Sequence, residues 1–404
     1  MSVLKPAGSG PVPVGESAGR ILAEDILAPG DQPSFANSSM DGFAVRAADV
    51  TGASHASPVS LEVIGNIPAG SSDFVRLQPG QAARIMTGAP IPEGADAVIP
   101  VEETSEMPGP LKTDQSPVQR VFIYREARPG DYIRPRGQDF HQGQVLLQRG
   151  RRLQPQDLGL LASIGRAQVI VHSRPRIAVF SSGDELVQTG HPLGPGQIYD
   201  SNQYILAAML EQAGAEVIRA GTARDDPVQI KALLDRCVSA EIDMIVSSAG
   251  VSVGTYDYVR QVIESHGELS FWRVNMRPGK PLAFGSYSGI PLIGLPGNPV
   301  SAYMGCRIFV LPAVYKLSGR SQHFPSLSKA VLAEPVESDG RESYLRAIVS
   351  ESNETGQRLI KLAGHQGSSN LYGLTQANAL LFVPSGVKSL PSGAEVNFWF
   401  LEVE

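Results

Sequence analysis

The stretch IDMIVSSAGVSVGTYDY, residues 242–258, is the feature that most constrains the fold of this chain. Its apolar start, from Ile242 to Val246, has the length and composition of a parallel strand that is buried on both faces. Small residues follow at once, and the segment after Gly254 has apolar residues at helical spacing. A helix that begins there directs free N–H groups and the positive end of its dipole at the small-residue loop, which favours a bound anion.

Asp257 lies in or beside the first turn of that helix. A carboxylate at this position either caps the helix or holds a divalent cation between itself and a bound phosphate. Both interpretations place Asp257 at the edge of the small-residue loop, and the sequence leaves both open.

Alternating strand and helix patterns continue along residues 174–322. IAVFSSGDEL and AEVIRAG are typical of strands, whereas SNQYILAAMLEQAG and DDPVQIKALLDRCVSA are typical of helices. We expect Gly214 to end the first helix, and Asp226 with Pro227 to begin the second. This spacing is that of βαβ units, so it predicts a doubly wound parallel sheet.

The pattern changes on both sides of this α/β part. Residues 44–139 contain short alternating strands separated by Gly and Pro, which predicts an inserted all-β domain. Residues 323–404 return to strand patterns and predict a C-terminal β domain. Residues 1–43 and 140–173 are predicted to form a discontinuous mixed α/β N-terminal domain, with a helical stripe over residues 16–28. The expected fold class is therefore α/β multidomain, as a length of 404 residues favours.

Composition and missing patterns argue against several classes of protein. The net charge of −6 comes without a long run of one sign, which argues against nucleic-acid binding. Cys237 and Cys306 are too few and isolated for a disulfide framework, and we expect both in the core. No apolar run reaches about 18 residues and the N-terminus lacks a targeting pattern, so we expect a cytoplasmic protein with no membrane segment. Patterns of P-loop NTPases, zincins and serine hydrolases are missing.

Polar loops follow the predicted strands of the α/β part. In an open parallel sheet, ligands bind outside the carboxyl ends of the strands. The five loops there are SSGDE at 181–185, GTARDDP with Asp225 and Asp226, SSAGVSVG, RPGKP with Arg277 and Lys280, and LPGNP with residues 296–299. We therefore expect carboxylates, cations and small turns to meet in one crevice.

This set of side chains suits a phosphorylated ligand. Arg277 and Lys280 can neutralise phosphate or another oxyanion, and the loops can donate backbone N–H bonds. Four carboxylates offer the oxygen ligands that Mg²⁺ prefers: Asp184, Glu185, Asp225 and Asp257. For Asp184 and Asp226, the cap of a helix is an equally good interpretation.

Three polar side chains outside the α/β part are open to two interpretations. Asp41 lies in a crowded polar turn, as an Asx-type turn residue or as a ligand-facing carboxylate. Thr87 can offer its hydroxyl to a ligand or close a turn of its own. Asp139 follows Arg134 and Arg136 in a loop, where a solvated charge cluster is the default interpretation.

Nine stretches of the chain, in the same order, resemble the motifs of the molybdopterin molybdenumtransferase family, the MoeA proteins and the gephyrin E domain. They are NSSMDGFAVR, RIMTGAPIPEGADAVIP, RPRGQDF, SSGDEL, IYDSN, SSAGVSVGTYDY, RPGKPLAFG, LPGNPVSA and GHQGSS. The resemblance covers nearly the whole chain. It implies an elongated homodimer of four-part subunits with a MogA-like doubly wound domain. The implied catalytic cleft lies between that domain of one subunit and the β insert of the other.

The activity that the resemblance implies is the last step of molybdenum cofactor assembly. Molybdate is inserted into the dithiolene of adenylylated molybdopterin and AMP is released, with Mg²⁺ as helper. The expected partners are adenylylated molybdopterin, molybdate and a second copy of the chain. A molybdopterin adenylyltransferase and molybdoenzyme chaperones are candidate protein partners.

Two other functions remain as alternatives. A molybdopterin adenylyltransferase, which makes the preceding intermediate, resembles the α/β part alone, so the β insert and the C-terminal β domain argue against it. A non-catalytic scaffold is the other, because the gephyrin relative also anchors receptors through this domain. The intact set of carboxylates argues for retained chemistry, and an assay of molybdate-dependent AMP release separates the two.

The resemblance and the predicted crevice together assign the site residues. The predicted catalytic residues are Asp41, Thr87, Glu185, Asp225 and Asp257, and the last three are also the predicted Mg²⁺ ligands. The predicted substrate-binding residues are Asp139, Ser248, Gly250, Ser252, Arg273, Arg277, Lys280, Pro296, Gly297, Asn298, Pro299, Arg346 and Ser368.

The chain departs from the family pattern at three positions. The family usually has two glycines where this chain has Ala249 and Gly250, so a methyl group stands where the backbone approaches the ligand. Arg273 and Arg277 stand where the family often has lysine, and arginine offers a planar fork in place of a compact charge. The preference between molybdate and tungstate stays open for this reason.

Overall fold

The computed structural model describes residues 4–70, 75–106, 120–249, 258–321, 324, 326–352 and 356–401. The chain divides into two compact units. The first unit combines Met1–Glu24 with Gln148–Glu404, and the second is Asp25–Leu147. The second unit extends at both ends beyond the range 44–139 that we predicted for the insert.

Short strands and single turns of 3-10 helix make up the first part of the chain. The strands are β1 (Ser9–Pro13), β2 (Ile26–Leu27), β3 (Asn37–Ser38), β4 (Gly42–Val45), β5 (Val59–Ile67), β6 (Gln81–Ile85), β7 (Ala97–Pro100), β8 (Arg120–Ile123), β9 (Ile133–Arg134) and β10 (Val145–Leu147). The 3-10 turns are Val14–Glu16, Ala47–Val50 and Val101–Glu103. The main sheet of the second unit has the order β7-β4-β6-β5-β8 and buries Phe43, Leu61 and Ile99, which confirms an all-β insert.

Residues 16–28 do not form the predicted α-helix. Ile21 and Leu22 make isolated antiparallel bridges, and Ile26–Leu27 is strand β2, paired with β10. Ile21, Leu22 and Ile26 are buried although their backbone is extended, whereas Leu27 is 51% exposed. Later segments of the chain supply the hydrogen bonds that a helix would have made internally. Tertiary pairing therefore overrides the helical spacing of this segment.

The α/β part alternates strands and helices as predicted. Its elements are α1 (Pro155–Ser163), β11 (Gln168–His172), β12 (Arg176–Ser182), β13 (Leu186–Val187), β14 (Ile198–Tyr199), α2 (Asn202–Gln212), β15 (Glu216–Ala223), α3 (Pro227–Ser239), β16 (Met244–Ser248), α4 (Tyr258–His266), β17 (Gly267–Trp272), β18 (Met276–Arg277), β19 (Ala283–Tyr287), β20 (Ile290–Leu295), α5 (Pro299–Gly305), a π-helical turn (Cys306–Val310) and α6 (Leu311–Leu317). β1 pairs with β11.

Five of the six strands of the central sheet run in one direction, and β19 runs against them. The order of the sheet is β15-β12-β16-β20-β19-β17, and the first four strands are parallel, as predicted. β19 runs antiparallel to both of its neighbours. The reason is the tight turn between β19 and β20, where Ser288 and Gly289 have φ of 50° and 80°. Two consecutive positive φ values are typical of a hairpin turn.

Helices cover both faces of this sheet. Val179 and Val246 pack on α2 and on the helical run Pro299–Leu317, whereas Phe180 and Ile245 pack on α3 and α4. Pro299–Leu317 is long and apolar enough to cross a membrane by length and composition, but 72% of its most apolar window is buried inside this unit. Its apolar side chains therefore belong to the protein core.

The predicted ends of two helices are confirmed. Gly214 follows α2 with a φ of 92°, as a residue in the left-handed region that ends a helix. Asp226 accepts a hydrogen bond from the Val228 N–H at 3.0 Å, and Pro227 is the first residue of α3. Asp226 is therefore the N-cap of α3. Both cysteines are buried, as expected.

The C-terminal part is a closed ring of strands. Its elements are β21 (Ser328–Leu332), β22 (Val336–Glu337), β23 (Glu342–Glu351), β24 (Arg358–Leu362), α7 (Leu371–Thr375), β25 (Ala379–Val383), β26 (Ser389–Leu390) and β27 (Glu395–Phe400). The order β23-β24-β21-β27-β25 closes because β25 also pairs with β23. β18, which carries Arg277, adds to β23 in parallel and so attaches a loop of the α/β part to this ring.

Candidate functional site

The carboxyl ends of the parallel strands form one edge of the central sheet. Ser181 on β12 lies opposite both Thr222 on β15 and Ser248 on β16, and Ser248 lies opposite Leu295 on β20. β17 runs in the same direction as β20, because both are antiparallel to β19. The segment that follows β17 therefore starts from the same edge. The described residues of the five predicted loops all leave the sheet there.

The carboxylates of Asp184, Glu185 and Asp225 belong to two neighbouring loops at this edge. The backbone N–H of Asp184 donates to the carboxylate of Asp225. Burial and the negative charges of Glu185 and Asp184 raise the pKa of Asp225 above its usual range. The Glu185 carboxylate lies over Gly183, where an added Cβ would come within 2.5 Å of one carboxylate oxygen.

This donor set fits a hard divalent cation. Carboxylate oxygens are the ligands that Mg²⁺ prefers, and a bound cation would counteract the burial and the two neighbouring negative charges that raise the pKa of Asp225. Within the described ranges, no three His, Cys, Asp or Glu side chains come close enough together to hold a metal ion on their own. The third predicted ligand, Asp257, lies outside the described residues, as do Gly250 and Ser252.

A cavity of about 430 Å³ opens beside the carboxylates. Its lining residues are Gly183, Asp184, Leu186, Gln197, Thr222, Ala223 and Arg224. Its volume is within the range of small-molecule sites. Asp200, which is buried, accepts hydrogen bonds from the Thr222 hydroxyl at 3.2 Å and from the Gln203 side-chain amide at 3.0 Å. Asp200 and Gln203 therefore hold one wall of this cavity.

Asn202 ties two of the loops together, and we had not predicted it as a site residue. Its side-chain amide donates to the Ser248 hydroxyl at 2.6 Å and to the Gly297 carbonyl at 2.7 Å. It thereby fixes the end of β16 against the LPGNP loop. Ser248 is 1% exposed, so its hydroxyl holds this junction. The IYDSN motif, which ends at Asn202, was the available signal.

Several buried polar atoms near this edge have no hydrogen-bond partner. They are the Asn202 Oδ1 and the hydroxyls of Ser181, Ser182 and Ser247. Buried polar groups are normally paired. The ends of β12 and β16 therefore hold hydrogen-bonding capacity that the described protein atoms do not use, as expected of a surface that receives a polar ligand.

Ala249 is held in a backbone conformation that favours glycine. Its φ is 72°, and its N–H donates to the Leu295 carbonyl at 3.0 Å. Its methyl group is 3.3 Å from the position that a Cβ on Gly297 would take. The departure from the family pattern at this position therefore carries backbone strain and narrows the space between two loops.

Ala249→Gly is expected to raise the free energy of unfolding by about 0.5–1 kcal/mol. Glycine adopts a positive φ without the penalty of a Cβ, and this gain exceeds the entropy that glycine adds to the unfolded chain. Urea denaturation checks the value. The control is Ala162→Gly in α1. We expect this variant to lower the free energy of unfolding by about 0.5–1 kcal/mol, because the backbone at Ala162 is helical. The same sign for both variants would contradict the strain at Ala249.

The cationic side chains in and near the RPGK loop, residues 277–280, have different contacts. Arg273 has a φ of 79°, and its guanidinium stacks 3.8 Å from the centroid of the Trp272 ring. Arg260 stacks on the same ring at 4.0 Å. Arg277 lies 3.9 Å from Asp339, and Lys280 is exposed. A planar guanidinium stacks on a ring better than a lysine ammonium does, which accounts for arginine at position 273.

The LPGNP loop is bonded to the GHQGSS loop of the C-terminal part. The Asn298 side-chain amide donates to the Ser368 hydroxyl at 3.0 Å, and the Val300 N–H donates to the Ser368 carbonyl at 3.0 Å. Pro296 is buried, and Pro299 begins α5. Ser368 therefore stands at the same edge as Asn298.

Arg346 holds the GHQGSS loop in place. It is 1% exposed, and its guanidinium donates to the carbonyls of His365, Gly367 and Asn370 at 2.7, 3.1 and 2.9 Å. These carbonyls flank Ser368. The structure thus gives Arg346 a role in holding the loop, and its direct contact with a substrate stays a prediction.

Asp41 and Thr87 meet in the second unit. The Thr87 N–H and hydroxyl each donate to one Asp41 oxygen at 2.7 Å. These two bonds, with the nearby charge of Arg84, hold the pKa of Asp41 below its usual range. The two side chains are thus bonded across β4 and β6, and not each within a turn of its own. Gly42, next to Asp41, lets β4 approach β7 closely, because a Cβ there would lie 1.9 Å from the Ile99 carbonyl oxygen.

Asp139 also belongs to the second unit and has an exposed side chain. Its backbone N–H donates to the Gln32 carbonyl at 2.8 Å. The predicted charge cluster forms differently, because Arg136 pairs with Asp31 at 2.7 Å. The carboxylate of Asp139 therefore remains exposed beside this ion pair.

Comparison with known proteins identifies the family. Three domain models match in succession: the MoeA N-terminal region (domain I and II) over residues 2–165, a probable molybdopterin binding domain over 178–316, and the MoeA C-terminal region (domain IV) over 329–401. Molybdopterin molybdenumtransferase 2 of Mycobacterium tuberculosis is 39% identical over 398 residues, which is 96% of this chain and 94% of the relative.

Two further relatives agree. The molybdopterin molybdenumtransferase of Nostoc is 40% identical over 384 residues, which is 94% of this chain and 85% of that protein. A crystal structure described as a molybdopterin biosynthesis MoeA protein from Pyrococcus horikoshii superposes with a TM-score of 0.79 at 35% identity, covering 99% of this chain and 96% of its own. Identity and coverage at this level, together with nine motifs in order, show that the chain belongs to the MoeA family of molybdopterin molybdenumtransferases.

Proposed function

We propose that this protein is the transferase that inserts molybdate into adenylylated molybdopterin and releases AMP, in the last step of molybdenum cofactor assembly. The observation that carries the proposal is the set of Asp184, Glu185 and Asp225 at the sheet edge that also bears Lys280, where burial and the two neighbouring charges raise the pKa of Asp225. The names of the relatives at 39% and 40% identity support the same activity.

The charges at the edge suit a phosphoanhydride and an oxyanion. Glu185, Asp225 and Asp257 are the proposed ligands of Mg²⁺, which when bound would supply positive charge to the phosphate oxygens of the leaving AMP. Arg277 and Lys280 would neutralise molybdate or phosphate. The unpaired serine hydroxyls at the strand ends offer hydrogen bonds to the same ligand.

The remaining expectations form part of the same proposal. Asp41, Thr87 and Asp139 are proposed active-site residues, with Asp41 kept ionised by the two bonds from Thr87. We also propose that the protein works as a cytoplasmic homodimer. A molybdopterin adenylyltransferase would supply its substrate, and molybdoenzyme chaperones would receive its product.

The test is AMP release from adenylylated molybdopterin. The wild-type protein is expected to release AMP only when molybdate and Mg²⁺ are both present, and tungstate in parallel measures the oxyanion preference. Asp257→Ala is expected to retain the fold, by circular dichroism and thermal unfolding, and to lose the release. Unchanged release in this variant would count against the assigned ligand. No molybdate-dependent release by the wild type would indicate a scaffold.

A further inference from the structure

A second cavity, of about 170 Å³, lies in the first unit at the far end of α2. Residues 18–21, Arg152, residues 172–174, residues 211–214 and Ser318 line it. α2 begins at Asn202 beside the catalytic edge and ends at this cavity, so about 16 Å of helix separates the two places. Nothing in the proposed reaction uses this cavity.

Three arginines from separate segments line this cavity. The Arg20 guanidinium is fixed by donating to the His172 carbonyl at 3.0 Å. Arg152 lies over Gly19, about 3.9 Å from the position of an added Cβ. Arg174 is exposed at the mouth, and its charge contributes, after burial, to the lowered pKa of Arg20. Among the residues that the structure describes, no carboxylate forms an ion pair with any of these three arginines.

The charges in the cavity wall do not balance. The C-terminal end of α2 carries about half a negative charge, which one arginine would offset. Glu211 adds one carboxylate, but Arg219, which is not a lining residue, lies 4.0 Å from that carboxylate. Burial lowers the pKa of His172, so its ring is neutral at pH 7. More than one positive charge is thus left over, which a purely structural role at the helix end does not explain.

We propose that this cavity binds a small tetrahedral oxyanion of the phosphate, sulfate or molybdate type. The guanidiniums of Arg20, Arg152 and Arg174 offer planar pairs of N–H donors, which suit oxyanion edges. The volume admits such an ion and accompanying water, but is below the usual range for sites that enclose a drug-sized ligand. The site is a binding site outside the catalytic edge, and its occupant is the free ion.

The test is a calorimetric titration of the full-length protein at low ionic strength with phosphate, sulfate and molybdate in turn. The double variant Arg152→Gln/Arg174→Gln is expected to bind the ion at least tenfold more weakly than the wild type. The matched control is Arg358→Gln, which removes an exposed arginine of the C-terminal ring and is expected to leave the affinity unchanged. Equal affinity in the double variant, or an equal loss in the control, overturns the proposal.

A second comparison separates this cavity from the catalytic edge. Lys280→Gln is expected to retain ion binding at the cavity lined by the three arginines. If Lys280→Gln lost ion binding and the double variant retained it, the proposal would be overturned. Thermal unfolding verifies that each variant is folded. If the double variant is not folded, the single variant Arg174→Gln, at an exposed position, replaces it. We expect this variant to bind the ion at least threefold more weakly than the wild type. Binding of molybdate alone supports a molybdate site, and equal binding of all three ions supports a general oxyanion site.

Discussion

Asp225→Asn is expected to lower Mg²⁺-dependent AMP release on the order of 100-fold, while making the metal-free protein more stable at pH 7. Asparagine keeps the shape of the side chain but removes the negative charge that a cation needs. It also removes the cost of burying a charge beside Glu185 and Asp184, because burial and these two charges raise the pKa of Asp225. Activity and stability therefore change in opposite directions.

The stability difference depends on pH in a direction that the raised pKa sets. Between the ordinary pKa of an aspartate and the higher value of folded Asp225, the folded state binds more protons than the unfolded state, so stability falls as the pH rises. Well below about pH 4 the carboxyl is neutral in both states. Asp225→Asn is thus expected to be more stable than the wild type at pH 7 and to lose this difference toward pH 4. Urea denaturation without divalent cations measures the difference.

The neighbouring Asp226→Asn is the matched control. Asparagine caps a helix as well as aspartate does, so α3 keeps its N-terminal hydrogen bond. We expect full activity and little change in stability. Equal loss of AMP release in both variants, or retained release in Asp225→Asn, would contradict the assignment of Asp225. Saturating Mg²⁺ is expected to stabilise the wild type and not Asp225→Asn.

Arg346→Met is expected to destabilise the protein by roughly 3–5 kcal/mol. Methionine is a long side chain without donors, so the carbonyls of His365, Gly367 and Asn370 lose the hydrogen bonds that the buried guanidinium donates. Urea denaturation measures the loss. Arg358→Met, at an exposed ion pair on β24, is expected to change stability by no more than about 0.5 kcal/mol.

The same variant tests whether Arg346 acts through its loop. Loosening the loop displaces Ser368 from Asn298, so KM for adenylylated molybdopterin is expected to rise under conditions where the variant is folded. Arg346→Lys is not expected to restore stability, because one ammonium does not reach three separate carbonyls. A loss below about 1 kcal/mol for Arg346→Met would refute the supporting role.

Signals carried by neighbouring residues were enough to predict much of this protein. The strand and helix periods predicted the α/β part, and nine motifs in order predicted the family. Asp226 and Gly214 marked helix ends correctly, because a cap bonds to the backbone within a few residues. The rule that ligands bind outside the ends of parallel strands predicts the candidate edge from the sequence alone.

Long-range pairing decided the rest, because a side chain's partner is set by which distant segments the fold brings beside it. Residues 16–28 became extended, since later strands offered them hydrogen bonds. Thr87 bonds Asp41 across 46 positions of sequence, and Asn202 reaches Gly297 across 95. Arg346 similarly binds a loop about twenty residues away. The sequence by itself determined which residue types stand at the ends of the strands, and only the tertiary structure decided which of them hold the loops and which keep polar atoms without a protein partner.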